Sequence, residues 1–180
     1  MRKFKFAIIA SGLDPEDEDF EDLFYEAGCA DATVSFQKGV IIVDFNRKAV
    51  TFSQAVISAC ENVISAGAKI ERIEPDHLVS LSEMSERCPI TKQAMSLYSD
   101  GKRGEGFPNP AACVTTKHPL WDWSEVAEWL YERQKLSLVE VVQARIVKEA
   151  NVHFEVDELP DDNFARKLEA LEKPEIPVRA

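Results

Sequence analysis

The chain has 180 residues, of which 45% are hydrophobic and 29% charged, and its formal net charge is −11 at neutral pH. These values are typical of a folded globular protein, and no run of about 18 apolar residues exists, so we expect neither global disorder nor a membrane span. The four cysteines are widely spaced without a metal-ligand pattern, so we expect reduced thiols in a cytoplasmic protein, with no structural metal and no cofactor.

The strand and helix patterns in residues 1–76 predict an α+β domain. The alternation in 3–10 indicates a buried strand rather than a signal peptide, because its apolar run is very short. Further strands are predicted at 32–36, 40–45 and 68–74, and helices at 20–27 and 52–64. This βαββαβ order resembles the ferredoxin-like fold, including the small ligand-sensing and metal-binding domains built on it. The resemblance is topological and says little about activity.

Three interpretations of this domain as a metal site are disfavoured. The segment Ser11–Asp14 lacks the CxxC pair of the metal-binding domains, so metal transport is disfavoured. The acidic run Glu16–Asp22 more often favours the positive end of a helix than binds a cation. Asp14 follows the first strand, the position of a metal-binding acid in a ferredoxin-like nuclease, but no second motif accompanies it, so we expect no enzyme.

The most informative segment begins at residue 79. Ser80 and Glu83 match a capping box, with Ser82 as a competing cap one turn later. Pro89 ends this helix, and Thr91 is a plausible cap for a second helix at 91–99. The pattern predicts a helix-turn-helix.

The exposed face near the start of the second helix would carry Lys92, Gln93 and Ser96. Recognition helices place their base-contacting residues there. Glutamine pairs with adenine, lysine reaches guanine or phosphate, and serine is permissive. Arg87–His118 holds five basic and two acidic side chains, and is therefore locally positive in an acidic chain.

The glycine-rich segment 101–110 follows directly. It predicts a wing, a hairpin whose tip carries Lys102 and Arg103 toward phosphates or the minor groove. The alternative is an ordinary solvated hairpin. A return strand is expected at Ala112–Thr116, with Thr115, Thr116 and Lys117 as further backbone contacts. An aspartate cap at Asp122 opens a helix at 124–131, and the nearby tryptophans are expected to be core anchors.

Residues 79–131 resemble the excisionase-like and MerR-like winged-helix regulators of bacteria and phages. The resemblance lies in the order of helix-turn-helix, glycine-rich Phe-Pro loop and tryptophan-anchored helix. It implies that Lys92, Gln93 and Ser96 read the major groove and that Lys102 and Arg103 lie at the wing tip. We also expect Ser82 and Thr91 to contact DNA. The turn, Cys88-Pro89, departs from the usual glycine, and the basic content is thin.

We therefore expect three segments: a ferredoxin-like sensing or dimerisation domain at 1–76, a winged helix-turn-helix at 77–135, and a C-terminal helix with an acidic tail at 136–180. The implied function is a sequence-specific transcriptional regulator, a repressor or autorepressor, that binds double-stranded DNA as a homodimer. The alternative is an antitoxin-type or other interaction module whose N-terminal domain or acidic tail binds a protein. The spacing of Phe164, Leu168 and Leu171 predicts a short amphipathic helix in that tail.

Overall fold

A computed structural model of the protein describes residues 1–156 and 159–173. Contacts divide them into an N-terminal unit, residues 1–75 with the described residues from Ile146 onward, and a central unit, residues 76–145. The elements are β1 (Arg2–Ser11), α1 (Phe20–Glu26), β2 (Ala32–Gln37), β3 (Val40–Ala49), α2 (Phe52–Ser65), β4 (Lys69–Glu74), β5 (Leu78–Val79), α3 (Leu81–Arg87), α4 (Lys92–Ser99), β6 (Trp121–Asp122), α5 (Trp123–Glu132), α6 (Leu138–Glu155) and α7 (Asp162–Leu171). The protein is therefore an α+β protein, as its sequence predicts.

The N-terminal unit is built on a four-stranded antiparallel sheet with the strand order β2-β3-β1-β4. Alternate residues of β1 and β3 are buried, which places Phe6 beside Phe45 and Ile8 beside Val43 on one face. Helix α2 packs on this face, and its Phe52 ring meets the edge of Phe6 at 5.7 Å between centroids. The period-two pattern seen in the sequence therefore marks the face that the helix covers.

A buried arginine joins the sheet to α2 and to the loop before β2. All five N–H groups of Arg47 are used: they donate to Asp31, Ser58, Asn62 and the carbonyl of Gly28. Its hydrogen bonds hold the pKa of Asp31 below the ordinary range. A polar cavity of about 640 Å³ lies beside this cluster, but Arg47 has no donor left for a ligand. The cluster is therefore a structural one.

The C-terminal helices belong to the same unit. Asn151 of α6 is buried, and its amide accepts a hydrogen bond from the backbone N–H of Ile73 at 2.7 Å and donates to the carbonyl of Ile73 at 3.0 Å. Helix α7 packs on α2, and Glu172 just beyond it accepts from the N–H of Ser53 at 2.8 Å. The contacts therefore group the chain differently from the three consecutive segments expected, because long-range packing returns residues after 145 to the N-terminal sheet.

The predicted tail helix is present as α7, but its apolar side faces inward. Phe164 and Leu168 are almost fully buried within the N-terminal unit. A docking role for this part of the tail would need those side chains to be available, and they are not. The proline-containing end of the tail, 174–180, lies outside the described residues. Within the described part of the chain, every helix is too short or too polar to cross a membrane.

The central unit has its own core. Buried Met84 and Met95 of the two short helices cluster with Val126 and Leu130 of α5, and Val79 of β5 belongs to the same cluster. Strand β5 pairs with β6 in antiparallel register, Leu78 with Asp122 and Val79 with Trp121.

Candidate nucleic-acid interface

The first helix of the central unit, α3, begins at Ser80. The Ser80 hydroxyl accepts from the N–H of Glu83, and the Glu83 carboxylate accepts from the N–H of Ser80 at 2.7 Å, so both halves of a capping box are made. These bonds from Ser80 hold the pKa of Glu83 below its usual value. The competing cap does not form: Ser82 lies inside the first turn, half-buried, and its carbonyl accepts from Ser85.

The turn between α3 and α4 reverses the chain without a glycine. Cys88 is extended, with φ −146° and ψ 160°, and the N–H of Ile90 donates to the Cys88 carbonyl at 2.8 Å. The Cys88 thiol donates back to the carbonyl of Met84, and burial raises the pKa of this thiol. Pro89 and an extended Cys88 replace the usual glycine, because an extended residue before proline is the favoured conformation.

Helix α4 starts at Thr91, whose hydroxyl accepts from the N–H of Ala94 at 3.2 Å. Met95 and Tyr98 point into the core, which leaves Lys92 and Gln93 exposed in the first turn. Among the described residues, neither of these two side chains has an ion pair or a side-chain hydrogen bond. A cation and an amide are therefore displayed, unengaged, beside the free N–H groups of a helix start, an arrangement that suits an anionic ligand with hydrogen-bonding edges.

The segment after α4 differs from the predicted hairpin. Gly101 has φ +66°, its N–H donates to the carbonyl of Tyr98, and the N–H groups of Lys102 and Arg103 both donate to the carbonyl of Leu97. This is a glycine helix stop, in which a left-handed residue lets the chain satisfy the last carbonyls. No strand forms in 101–110. Gly101 therefore ends α4, and the glycines of this segment do not form the tip of a hairpin.

The rest of 101–110 is held against α5. The indole N–H of Trp129 and the guanidinium of Arg133 both donate to the carbonyl of Glu105, at 3.0 and 2.7 Å. The ring of Phe107 packs edge-on against Trp129, with centroids 5.1 Å apart. Gly104 lies so close to Trp129 that an added Cβ would be 2.9 Å from the indole. This segment is therefore part of the packed body of the central unit.

The two predicted wing cations are engaged by their neighbours. The Lys102 ammonium pairs with the Asp100 carboxylate at 2.9 Å, and the Arg103 guanidinium lies 5.5 Å from the centre of the Tyr98 ring. Both side chains remain at the surface.

A hairpin does form, but about ten residues later. Ala112 and Leu120 make an isolated antiparallel bridge, with the N–H of Leu120 donating to the Ala112 carbonyl at 2.9 Å. The predicted return strand stops at this bridge: Cys113 has φ +53°, and Thr116 turns back to donate to the Cys113 carbonyl. The intervening loop is 113–119, and the hairpin leads directly into β6. We call this loop the distal loop.

The distal loop is exposed from Cys113 to His118. Thr115 and Lys117 are therefore surface residues of a turn and not of a strand, and the Lys117 ammonium has no ion pair within the described ranges. The indole of Trp121, at the base of the hairpin, donates to the carbonyl of Pro108 at 3.2 Å. The tryptophans thus act as anchors, as expected from the sequence, and Trp121 connects the hairpin that carries the distal loop to the segment 101–110.

The predicted site residues consequently occupy four different places. The exposed start of α4 carries Thr91, Lys92 and Gln93, while Ser96 is half-buried further along the helix. Ser82 is half-buried in α3. Lys102 and Arg103 lie on the glycine helix stop, and Thr115 and Lys117 lie on the distal loop. Sequence reasoning missed the distal hairpin, although Pro110 and Pro119 bracket it and the exposed Thr-Thr-Lys run lies between them.

Scans against family models, curated proteins and solved structures each found no match for this chain.

Proposed function

We propose that the central unit is a winged helix-turn-helix that binds double-stranded DNA, and that the protein is a sequence-specific transcriptional regulator. The observation that carries the proposal is the exposed pair Lys92 and Gln93 in the first capped turn of α4, without partners among the described residues. This is where recognition helices place base-reading side chains, and glutamine and lysine are suited to adenine and guanine edges.

In this proposal the wing is the distal loop, 113–119, and not the segment 101–110. Its support is the β pairing at its base together with the exposure of Thr115, Thr116 and Lys117. Lys117 would contact a phosphate, and the threonine hydroxyls would add neutral phosphate contacts. Lys102 and Arg103 would contribute less, because each already has a partner within the protein.

The net charge of −11 opposes nonspecific attraction to DNA, so affinity would depend on a few close contacts. A single half-site would therefore bind weakly, and a homodimer reading two half-sites would compensate. The proposed direction of regulation is repression of its own or neighbouring genes.

We assign the dimerisation or sensing role to the N-terminal unit and propose that it is ferredoxin-like. The strand order β4-β1-β3-β2, fully antiparallel, with α1 and α2 in the βαββαβ order, supports this assignment. Fold alone says nothing about the ligand or effect, so the role rests on the need for a second subunit.

The test is binding of the purified protein to the DNA upstream of its own gene, measured by fluorescence anisotropy across a salt series. We expect Gln93→Ala and Lys92→Ala each to weaken binding by about 1–3 kcal/mol, or roughly five- to 150-fold, with relaxed sequence preference. Lys117→Ala should weaken all sequences alike and reduce the salt slope by about one.

The matched control is Lys135→Ala, which removes the same charge from an exposed position of the central unit between α5 and α6. It should leave both affinity and salt slope nearly unchanged. The proposal fails if no binding occurs at low salt, or if Lys135→Ala weakens binding as much as Lys92→Ala. If Lys102→Ala weakens DNA binding more than Lys117→Ala does, the segment 101–110 and not the distal loop acts as the wing.

A protein-interaction role, including an antitoxin-type role, is the second candidate. The strongly acidic character of the chain favours it, since cationic proteins would be attracted over long distances. The buried apolar side of α7 argues that any such surface lies elsewhere than in the described part of the tail.

A further inference from the structure

The two edge strands of the N-terminal sheet, β4 and β2, differ in whether another part of the protein bonds to their outer side. At the β4 edge, the side-chain amide of Asn151 makes two hydrogen bonds to the backbone of Ile73, and so occupies the position of a neighbouring strand. At the other edge lies β2, whose only strand partner among the residues that the structure describes is β3. The β2 edge is therefore the one available for an added strand.

The register shows which backbone groups of β2 point outward. The N–H of Asn46 donates to the carbonyl of Asp31, so this pair faces inward across the β2–β3 ladder. Antiparallel ladders alternate, so Thr33, Ser35 and Gln37 also face β3, whereas Val34 and Phe36 direct their N–H and carbonyl groups away from it. No backbone bond to these outward groups is made by any residue that the structure describes.

The composition of β2 does not protect this edge. The strand, ATVSFQ, contains no charged residue, no proline and no glycine, although 29% of the whole chain is charged. Free edges in natural proteins are usually interrupted by lysine, proline or a bulge, because an open edge pairs with other chains. An uninterrupted edge beside an exposed aromatic side chain, Phe36 at 47% exposure, is typical of a strand that receives a partner.

A groove of about 360 Å³ runs between α1 and this strand. Phe24, Val34 and Tyr25 are among the residues that line it, and Tyr25 is 68% exposed. Glu21 and Asp22 form its charged wall. Among the described residues that line it none is basic, so Glu21 and Asp22 give the groove a negative charge.

We propose that the β2 edge is a docking site for an extended, cationic segment of another protein, which adds as a strand beside β2. The backbone of Val34 and Phe36 would supply main-chain hydrogen bonds, and alternate side chains of the added strand would enter the groove. Lysine or arginine at those alternate positions would meet Glu21 and Asp22. This site is separate from the proposed DNA interface and does not depend on it.

Charge is the reason for choosing a cationic partner over a second copy of the chain. Pairing β2 with β2 of another copy about a two-fold axis would bring the two acidic α1 helices close together. Each copy carries a net charge of −11, and the run from Asp14 to Asp22 contains seven of the acidic residues. The acidic residues beside β2 would attract a basic strand, whereas they would repel the same acidic residues of a second copy.

The experiment is an NMR titration of the full-length, isotope-labelled protein with a capped peptide as long as β2 that alternates lysine and threonine. Lysines on one face suit the acidic groove, and threonines on the other suit Thr33, Ser35 and Gln37. We expect amide hydrogen exchange at Val34 and Phe36 to slow by about tenfold or more, with little change at Thr33 and Ser35, whose N–H groups already face β3.

The variants Glu21→Gln/Asp22→Asn should weaken peptide binding by about three- to tenfold at low salt. The matched control, Asp17→Asn/Glu18→Gln, removes two charges from the same acidic run but outside the groove lining, and should change binding much less. Val34→Pro removes one outward N–H without touching the β2–β3 ladder and should abolish binding while the sheet remains folded.

Three results would overturn the proposal. The first is an equal response to a peptide that alternates glutamate and threonine. The second is binding that leaves exchange at Val34 and Phe36 unchanged. The third is protection of these two amides from exchange in the peptide-free protein, if that protection increases with protein concentration. Such a result would mean that a second copy of the chain pairs with the β2 edge.

Discussion

Gly104 illustrates how a single residue in a glycine-rich segment acquires its role from a distant neighbour. In the sequence, it reads as one of three glycines that let a hairpin turn. In the structure, its φ is +71°, and a Cβ added there would lie 2.9 Å from Trp129 of α5 and 3.1 Å from Tyr98 of α4. Gly106 has nearly the same φ, +70°, but nothing lies within 4 Å of the position where a Cβ would be. Gly104 is therefore required both for its left-handed conformation and for close packing, whereas Gly106 is required only for its conformation.

We expect Gly104→Ala to destabilise the central unit more than Gly106→Ala. Both changes introduce a side chain into a left-handed conformation, which costs about 1 kcal/mol. Only Gly104→Ala also places a methyl group 2.9 Å from the indole of Trp129, and such overpacking costs about 1–3 kcal/mol more. Urea denaturation followed by tryptophan fluorescence measures both losses. Equal losses in the two variants would contradict the close contact.

At the scale of elements, side-chain caps decide where the helices of the central unit begin. Two serines compete in the sequence for the start of α3, and Ser80 makes both capping-box bonds whereas Ser82 lies within the first turn. The preceding strand settles the competition, because pairing of Val79 with Trp121 holds the chain extended up to Ser80. Side-chain caps also mark the starts of α4 and α5. The cap of α4 is Thr91, and the cap of α5 is Asp122, whose carboxylate accepts a hydrogen bond from the N–H of Ser124.

Ser80→Ala should therefore lower the free energy of unfolding by about 1 kcal/mol, whereas Ser82→Ala should change it by less than about 0.5 kcal/mol. Thermal denaturation of the two variants beside the wild type measures the difference. A larger loss from Ser82→Ala would mean that α3 starts two residues later than the structure places it.

This difference should also depend on pH. Hydrogen bonds from Ser80 lower the pKa of Glu83 from its ordinary value of 4.5, so the folded state favours the carboxylate. The resulting stability is present above that ordinary value and is lost as the pH falls through the lowered pKa. The gap between wild type and Ser80→Ala should accordingly narrow in acid. A gap that widens on acidification would contradict the assignment of the capping box.

At the scale of the whole molecule, the N-terminal sheet depends on residues that follow the central unit in sequence. Asn151 covers the β4 edge, Phe164 and Leu168 are buried in the unit, and Glu172 caps the start of α2. The N-terminal unit is thus completed only after the central unit has been made, so the central unit is an insertion between its two parts.

A chain that ends after Arg145 should therefore lose stability in the N-terminal unit. It would expose the apolar surface of α2 that α7 covers and remove both hydrogen bonds to Ile73, a loss of several kcal/mol at about 25 cal/mol per Å² of apolar area. The control is a chain that ends after Lys173. Circular dichroism melting and hydrogen exchange in β1 and β3 measure the effect, and identical protection in the two chains would contradict the insertion.

The sequence by itself determined most of the secondary structure. The strands of the N-terminal sheet, both helices between them, the capped starts of α3 and α4, and the tail helix α7 all lie close to the positions that periodicity and caps predict. These signals are readable because they are local: a cap acts over three residues, and a buried face repeats every two or 3.6 residues. The exposure of Lys92 and Gln93 followed from the same local rule.

Only the tertiary structure decided where the hairpin of the central unit lies, which edge of the sheet is open and which residues complete the N-terminal unit. Glycines in 101–110 are compatible both with a hairpin tip and with a helix stop packed under an indole, and contact with Trp129 selects the second. Likewise, Arg47 gives no local sign of burial, because its four partner residues come from other segments of the chain. Such features depend on contacts between residues far apart in sequence, which no local pattern encodes.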